Sequence, residues 1–220
     1  MKVEIWSDVV CPFCYMGKRK FEIALDKFEH KDGVEILWHS FQLNPEFNPG
    51  AAGDIHEYLA NRYGRSREWA KEMHDDLVAR AKEVGLEYKF DNIIPANTFD
   101  AHRLIHLAAK HGLQGKAEER LFAAYFTEGK DINEFETLVL LGTEIGLDPA
   151  ATRKALESGE FEDEVRQDLD EAESLGITGV PFFVFNRKYA ISGAQPTHLF
   201  METLDQVWNE EHVQEKSLLK

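Results

Sequence analysis

The 220-residue sequence has only two cysteines and no long apolar run. Two cysteines are too few for a fold held together by disulfides. Glu4 and Asp8 interrupt the N-terminal stretch MKVEIWSDVV, so it lacks the apolar core of a signal peptide. No stretch of about 20 apolar residues is present that could span a membrane. These absences predict a soluble cytoplasmic protein with no membrane partner.

Positive charge is also scarce. The chain has 25 Lys and Arg against 40 Asp and Glu, which gives a formal net charge of -15. Such a surface repels phosphate backbones, so we expect no nucleic-acid partner. Hydrophobic residues at 43% and charged residues at 30% are typical of a globular protein. The composition therefore predicts a folded chain with a substantial core, and it makes no prediction of the oligomeric state.

Sequence periodicity divides the chain into two kinds of segment. The alternating N-terminal stretch predicts a strand, and the helical pattern from Pro12 onward predicts a helix. The run VEILWHSFQL predicts a second strand. Helical patterns then follow one another over 54–174. After Gly176 the run VPFFVFNRKYAISG predicts a hairpin that turns at Asn186–Arg187, followed by a last helix capped by Thr197.

Both cysteines lie in the stretch SDVVCPFCY, where the predicted first strand meets the first helix. Side chains three residues apart on a helix are about 5–6 Å from each other, which is compatible with disulfide geometry. If the helix begins at Pro12, Cys11 faces unpaired backbone N–H groups and the positive end of the helix dipole. Both favour a thiolate. We therefore expect Cys11 to be the nucleophile and Cys14, one turn further in, to be the resolving thiol.

Pro12 and Phe13 separate the two cysteines. Proline suits the first helical position, because the N–H that it lacks would have no partner there. Phe13 adds apolar contact surface but no charge, so we expect a less oxidising couple than a His or Lys would give. Two inert buried cysteines are the alternative interpretation. His102 and His106 have metal-ligand spacing, but no second cysteine pair accompanies them, so no metal is predicted.

Further motifs follow the cysteines in a fixed order: FQLNP, NTFDAHRL, GVP before the final hairpin, and SGAQP. With these motifs the whole chain resembles the thioredoxin superfamily, and more closely the cytosolic FrnE-like branch of its DsbA family. The resemblance implies an α/β, thioredoxin-like fold with a large all-helical insertion, as in DsbA. Residues 1–47 plus 176–220 would form the thioredoxin-like domain, and 48–175 the inserted helical domain.

The resemblance also implies further site residues. Pro181 takes the position of a cis-proline packed against the active-site disulfide, and Val180 would offer backbone hydrogen bonds to an extended substrate segment. Together with Pro12 and Phe13 they form the predicted substrate-binding set. Asp8, Asn97 and His102 are candidate supporting residues. Their alternative roles are a turn at Asp8, a helix cap at Asn97 and a packed side chain at His102.

The cysteine pair and the resemblance together predict a thiol–disulfide oxidoreductase, a disulfide reductase or isomerase, that acts on proteins or small molecules containing disulfides. Apart from the redox-active Cys11–Cys14 disulfide no cofactor is implied, and glutathione is a candidate co-substrate. The alternative is a glutathione-dependent isomerase or transferase related to 2-hydroxychromene-2-carboxylate isomerase and kappa-class glutathione transferase. Those relatives carry serine in place of the first cysteine, so Cys11 argues against this alternative. A chaperone-like binding module is a third hypothesis.

Overall fold

The computed structural model of the protein describes residues 1–49 and 53–218, with side chains described as far as Glu211. Within these ranges it contains one four-stranded sheet and nine α-helices. The strands are β1 (Lys2–Ser7), β2 (Glu35–Ser40), β3 (Phe182–Phe185) and β4 (Tyr189–Ser192). The helices are α1 (Pro12–Lys27), α2 (Ile55–Tyr63), α3 (Arg67–Lys82), α4 (Phe99–Ala109), α5 (Gln114–Ala123), α6 (Phe135–Glu144), α7 (Pro149–Glu157), α8 (Glu162–Ser174) and α9 (Thr197–Leu218).

The sheet is mixed, with the strand order β2-β1-β3-β4. β1 and β2 run parallel, and α1 supplies the crossover that a parallel pair requires. β3 is antiparallel to both β1 and β4. The β3–β4 hairpin turns at Asn186 and Arg187, whose φ angles are 47° and 55°. Two positive φ values match the right-handed twist of the strands, and the turn lies where the sequence predicted it.

Helices cover both faces of the sheet. On one face, α1 and α9 enclose an aromatic cluster in which Phe21, Phe183 and Phe200 are fully buried. The Phe183 and Phe200 rings meet edge to face with their centroids 4.8 Å apart. On the other face, Ala172 of α8 packs in a small cluster with Trp6. α8 belongs to the segment predicted as an insertion, so part of that segment also covers the sheet, and the domain boundaries stay a prediction.

The helical segment has the largest core. Leu77, Leu104 and Phe122 are buried in it, and it continues without a break into Cys14 and Tyr15 of α1. The cysteine pair therefore lies at the junction between the sheet and the helical segment. This position gives the sulfurs neighbours from both halves of the chain.

Two helix ends differ from the sequence prediction. α1 ends at Lys27 instead of near Gly33, because Phe28 is extended and a short 3-10 turn occupies Lys31–Gly33. Thr197 is the first residue of α9 and not its cap. The Pro196 carbonyl accepts a hydrogen bond from Leu199 N at 3.0 Å. The residue before the helix is therefore Pro196, one position earlier than the predicted cap. Among the helices described, none has the length and apolarity needed to cross a membrane.

Candidate active site at the N-terminus of α1

Cys11 caps the N-terminus of α1, and Pro12 is its first residue. The Cys11 backbone is extended, with φ -89° and ψ 112°, and its N–H donates to the Asp8 carbonyl at 2.9 Å. Both cysteines are free thiols. Both cysteines are buried, with Cys11 4% and Cys14 1% exposed, but Cys11 lines a cavity of about 300 Å³ and Cys14 does not. A ligand in the cavity would therefore meet the sulfur of Cys11 and not that of Cys14.

Cys14 is held as a neutral thiol. Burial raises its pKa well above the ordinary value, and the neighbouring Cys11 sulfur raises it further. The Ser7 hydroxyl and the backbone at Asp8 act in the opposite direction with smaller effect. A protonated Cys14 beside Cys11 can donate to a thiolate on Cys11. Cys14 is thus kept protonated by its surroundings, and it also lacks the access to the cavity that Cys11 has.

The loop before β3 approaches the cysteines from the sheet. The Val180–Pro181 peptide bond is cis, and the Val180 carbonyl lies 3.5 Å from the Cys11 sulfur. Pro181 is buried against α1 at Gly17. A Cβ atom on Gly17 would lie only 2.8 Å from Pro181 Cγ, so a side chain at this position would displace the proline ring. The absence of a side chain at Gly17 is what lets this loop reach the sulfurs.

The helical segment fixes the turn between the cysteines from the other side. The Tyr88 hydroxyl donates to the Pro12 carbonyl at 2.7 Å. Burial raises the pKa of Tyr88, and the Cys11 sulfur adds to this, so the hydroxyl keeps its proton. Pro12 and Phe13 both line the cavity, and the Arg80 guanidinium lies 5.1 Å from the centre of the Phe13 ring. The turn is therefore held by the helical segment on one side and by the loop at Pro181 on the other.

A buried group of ionisable side chains surrounds Asp8, whose backbone carbonyl accepts the Cys11 N–H. His102 Nε2 is 2.9 Å from the Phe41 carbonyl and 3.5 Å from Asp8 Oδ1. Burial alone would lower the pKa of His102, but Asp8, with a smaller contribution from Glu118, outweighs it and raises that pKa. Burial raises the pKa of Glu118 to about 7, and its Oε2 has no hydrogen-bond partner in the part of the chain described. Asp8 and His102 thus lie close together, and their supporting role stays a prediction.

Asn97 has a different position. Its side-chain oxygen accepts from Phe99 N at 3.0 Å, and its amide nitrogen donates to the carbonyls of Pro45 and Phe47. It does not line the cavity. Asn97 therefore holds the start of α4 to the loop after β2, which is the structural alternative given for it above, while Thr98 is the formal cap without a side-chain hydrogen bond.

Metal-ligand atoms also come together away from the cysteines. Nitrogen and oxygen atoms of His39, Asp168 and Glu171 lie within 4.8 Å of one another. His39 Nδ1 is 2.7 Å from Asp168 Oδ1, and Arg187 Nη1 donates to Glu171 at 2.7 Å. These side chains already pair among themselves, so a cation would have to displace those contacts.

Sequence reasoning missed Tyr88, Glu118 and the contact at Gly17. Tyr88 lies in a loop, and no local pattern connects it to Pro12. Glu118 does leave a signal, since Leu121 and Phe122 follow it at i+3 and i+4, which places a carboxyl group on the apolar face of α5. A carboxyl group on a buried face is unusual enough to mark a candidate functional residue.

The cysteine turn, the cis-proline loop and the helical segment agree with what the comparisons with known proteins found. A model of the DSBA-like thioredoxin domain matches residues 2–205. The chain belongs to the DSBA-like thioredoxin domain family. An uncharacterized protein of Bacillus subtilis, YwbO, is 31% identical over 204 residues, which are 92% of this chain and 94% of that protein.

Solved structures are similar as well. The crystal structure of a probable DsbA oxidoreductase from Streptomyces coelicolor is 42% identical, with a TM-score of 0.90 over 96% of this chain and 91% of that one. The structure of a 2-hydroxychromene-2-carboxylate isomerase has a TM-score of 0.67 at 20% identity and covers 99% of both chains. At that identity the likeness shows a shared fold alone. The DsbA-like thioredoxin fold expected from the sequence is confirmed.

Proposed function

We propose that this member of the DsbA-like family is a thiol–disulfide oxidoreductase of the FrnE-like branch that uses the Cys11–Cys14 couple. One observation carries the proposal: Cys11 caps α1 and lines an open cavity, while Cys14 lies buried directly behind it. A helix N-terminus favours the thiolate form of Cys11, and burial keeps Cys14 protonated until it is needed. This division of roles is what a disulfide exchange in two steps requires.

In the first step the Cys11 thiolate attacks one sulfur of a substrate disulfide. A bond forms between Cys11 and that sulfur, the substrate S–S bond breaks, and the other sulfur leaves as a thiolate with the electron pair. In the second step Cys14 loses its proton and attacks the Cys11 sulfur, which releases the remaining substrate thiolate. The substrate gains two electrons, and the protein ends as the Cys11–Cys14 disulfide. Two external thiols, with glutathione as a candidate, then restore the dithiol, so no resident cofactor takes part.

Pro12, Phe13, Val180 and Pro181 would bind the substrate around the sulfur. The Val180 carbonyl at 3.5 Å from Cys11 Sγ is placed to pair with an extended chain, and Pro12 and Phe13 offer apolar surface beside it. Asp8 and His102 would act behind Cys14 as groups that can accept and return its proton. We further propose that the protein works in the cytoplasm as a reductase or isomerase, since a close cysteine pair in a chain with no other thiol suits a reducing compartment.

The test is the reduction of insulin by dithiothreitol, measured for the parent chain and for Cys11→Ser. We expect Cys11→Ser to reduce the rate to the uncatalysed level, while Ser158→Ala, at the exposed C-terminal end of α7 and outside the cavity wall, serves as the control and keeps the parent rate. Cys14→Ser should form mixed disulfides that can be isolated with their partners attached.

Three outcomes would contradict the proposal or favour another class of function. Full insulin reduction by Cys11→Ser would contradict the oxidoreductase proposal. Client binding that survives replacement of both cysteines by serine would favour the chaperone-like module instead. A glutathione-dependent isomerase would transform its substrate without forming a mixed disulfide at Cys11.

A further inference from the structure

The cavity beside Cys11 is mainly apolar. Its walls come from α2, α3, the segment that follows α3, the turn that follows α5 and the loop before β3, and they include Ile55, Leu59, Leu77, Phe90 and Ile93. Its volume of about 300 Å³ is at the low end of small-molecule pockets, which run from about 300 to 1,000 Å³. A space of this size and lining suits a single ring with short substituents, not a folded segment of a protein partner.

Arg62 supplies an unneutralised positive charge to this cavity. Its Nη2 donates to the Leu43 carbonyl at 2.9 Å and its Nη1 to the Tyr58 hydroxyl at 3.3 Å, and both acceptors are neutral. No carboxylate of the described residues forms an ion pair with it, although the chain has 40 acidic residues against 25 Lys and Arg. An arginine with free donors beside an apolar pocket is suited to a carboxylate on a ligand.

Two other titratable groups in the cavity wall, Asp8 and His74, either have a partner or carry no charge. Asp8 accepts from Leu43 N at 2.7 Å and faces His102. Burial lowers the pKa of His74 to about 4, with His56 adding to the effect, so His74 is neutral. His74 Nδ1 lies 2.8 Å from His56 Nδ1, and His56 Nε2 lies 2.9 Å from Asp91. Arg62 is therefore the charge in this wall that a ligand would neutralise.

We infer that the cavity binds one half of a low-molecular-weight disulfide, an aromatic or similarly compact apolar group that carries a carboxylate. The carboxylate pairs with Arg62, the apolar body fills the space between α2 and α3, and the sulfur meets Cys11. This inference rests on the proposed function and names its substrate class. The Cys11 thiolate bonds to the sulfur of the seated half, the S–S bond breaks, and the other half leaves as a thiolate.

The test uses the Cys14→Ser background, in which each chain reacts once, releasing one aryl thiolate and keeping the other half on Cys11. The probes are dithiobis(nitrobenzoate), which is anionic, and its uncharged diamide. For each variant, the ratio of the second-order rate constants for the two probes is measured at low ionic strength. We expect Arg62→Gln to lower this ratio by about threefold to fivefold, since an ion pair with an exposed arginine contributes up to about 1 kcal/mol. The matched control is Arg65→Gln, which removes a neighbouring arginine outside the cavity wall and should change the ratio by less than about twofold.

A second measurement tests the apolar half of the site. Leu59→Trp narrows the cavity, so it should slow the reaction with both aromatic probes more than the reaction with the small bis(hydroxyethyl) disulfide.

Equal effects of Arg62→Gln and Arg65→Gln on the ratio of the rate constants would mean a general influence of net charge and would overturn the inference. A ratio that neither variant changes would overturn it as well. In those cases the cysteine would still react and the parent chain would still reduce insulin. Loss of insulin reduction or of all probe reactivity in the parent would instead contradict the proposed function.

Discussion

The two sides of the α1 N-terminus differ in what the sulfurs contact. On the open side, Cys11 lines an apolar cavity whose wall includes Arg62. On the closed side, Cys14 is enclosed, and burial holds its pKa well above the ordinary value. One helical turn therefore separates a sulfur that can meet a substrate from one that keeps its proton. The difference shows how a short local motif obtains two chemical roles from two different surroundings.

The largest effect is expected from Glu118→Gln, which removes the buried acid of α5. Burial raises the pKa of Glu118 from 4.5 to about 7. Below pH 4.5 the group is protonated in the folded and the unfolded chain. As the pH rises toward 7, the unfolded chain releases a proton that the folded chain keeps, so the parent loses stability. We expect Glu118→Gln to escape this loss, and its free energy of unfolding should gain about 3 kcal/mol on the parent between pH 4 and pH 8.

Urea unfolding at a series of pH values measures this effect. Glu119→Gln is the matched control, because the pKa of Glu119 is lowered: burial opposes the shift, but Lys18 and Arg19 outweigh it. Its carboxylate stabilises the fold above its unfolded pKa, so the control should lose stability relative to the parent as the pH rises. If the free energy of unfolding changed with pH in the same way for the parent and for Glu118→Gln, Glu118 would ionise in the folded chain as it does in water.

The next largest effect is expected from Gly17→Ala, at the contact between α1 and the loop that contains Pro181. Gly17→Ala places a Cβ atom 2.8 Å from Pro181 Cγ, and neither the helix backbone nor the proline ring can easily move away. Alanine normally stabilises a helix by up to about 1 kcal/mol relative to glycine. Here we expect a net loss of about 1–2 kcal/mol in the free energy of unfolding, together with slower insulin reduction.

Gly115→Ala in α5 is the control, because its Cβ atom would meet Trp38 Nε1 only at 3.9 Å, an ordinary contact. That variant should be unchanged or slightly more stable. If Gly17→Ala behaved in the same way, the close packing between α1 and Pro181 would not constrain the site.

The smallest effect is expected from Tyr88→Phe on the turn between the two cysteines. The change removes the donor to the Pro12 carbonyl and costs about 1 kcal/mol in the free energy of unfolding. The turn should also become looser, which would bring the alkylation rates of the two cysteines closer together. Tyr63→Phe, at a tyrosine that is 60% exposed, should stay within about 0.5 kcal/mol of the parent. Equal stability of the two variants would show that the Tyr88 hydrogen bond does not support the turn.

Local chemistry explains what could be predicted from the sequence. The start of α1 at Pro12 and the hairpin at Asn186–Arg187 depend on residues within one turn of each other, and both were predicted correctly. The motif order placed Val180 and Pro181 beside the cysteines, where the structure also has them. Each of these features is encoded in a contiguous stretch.

Contacts between distant segments explain what was missed. The Tyr88 hydroxyl reaches Pro12 only because the helical segment folds against α1. The burial of Glu118 and the position of Arg62 in the cavity wall depend on how α5 and α2 pack. Asn97 comes from a family motif, but the structure places it at the loop after β2, where it holds backbone carbonyls. Periodicity predicts which face of a helix is buried, and it does not predict which side chains meet there.

The most direct test of the account is iodoacetamide alkylation of the native protein against pH, with Cys14→Ser reporting Cys11 and Cys11→Ser reporting Cys14. We expect Cys11, which lines the cavity, to be alkylated in the native protein at every pH tested, and Cys14, which is enclosed and held protonated by burial, to react only after unfolding. Cys14 that reacts as fast as Cys11, or both cysteines unreactive in the native state, would contradict this assignment of roles.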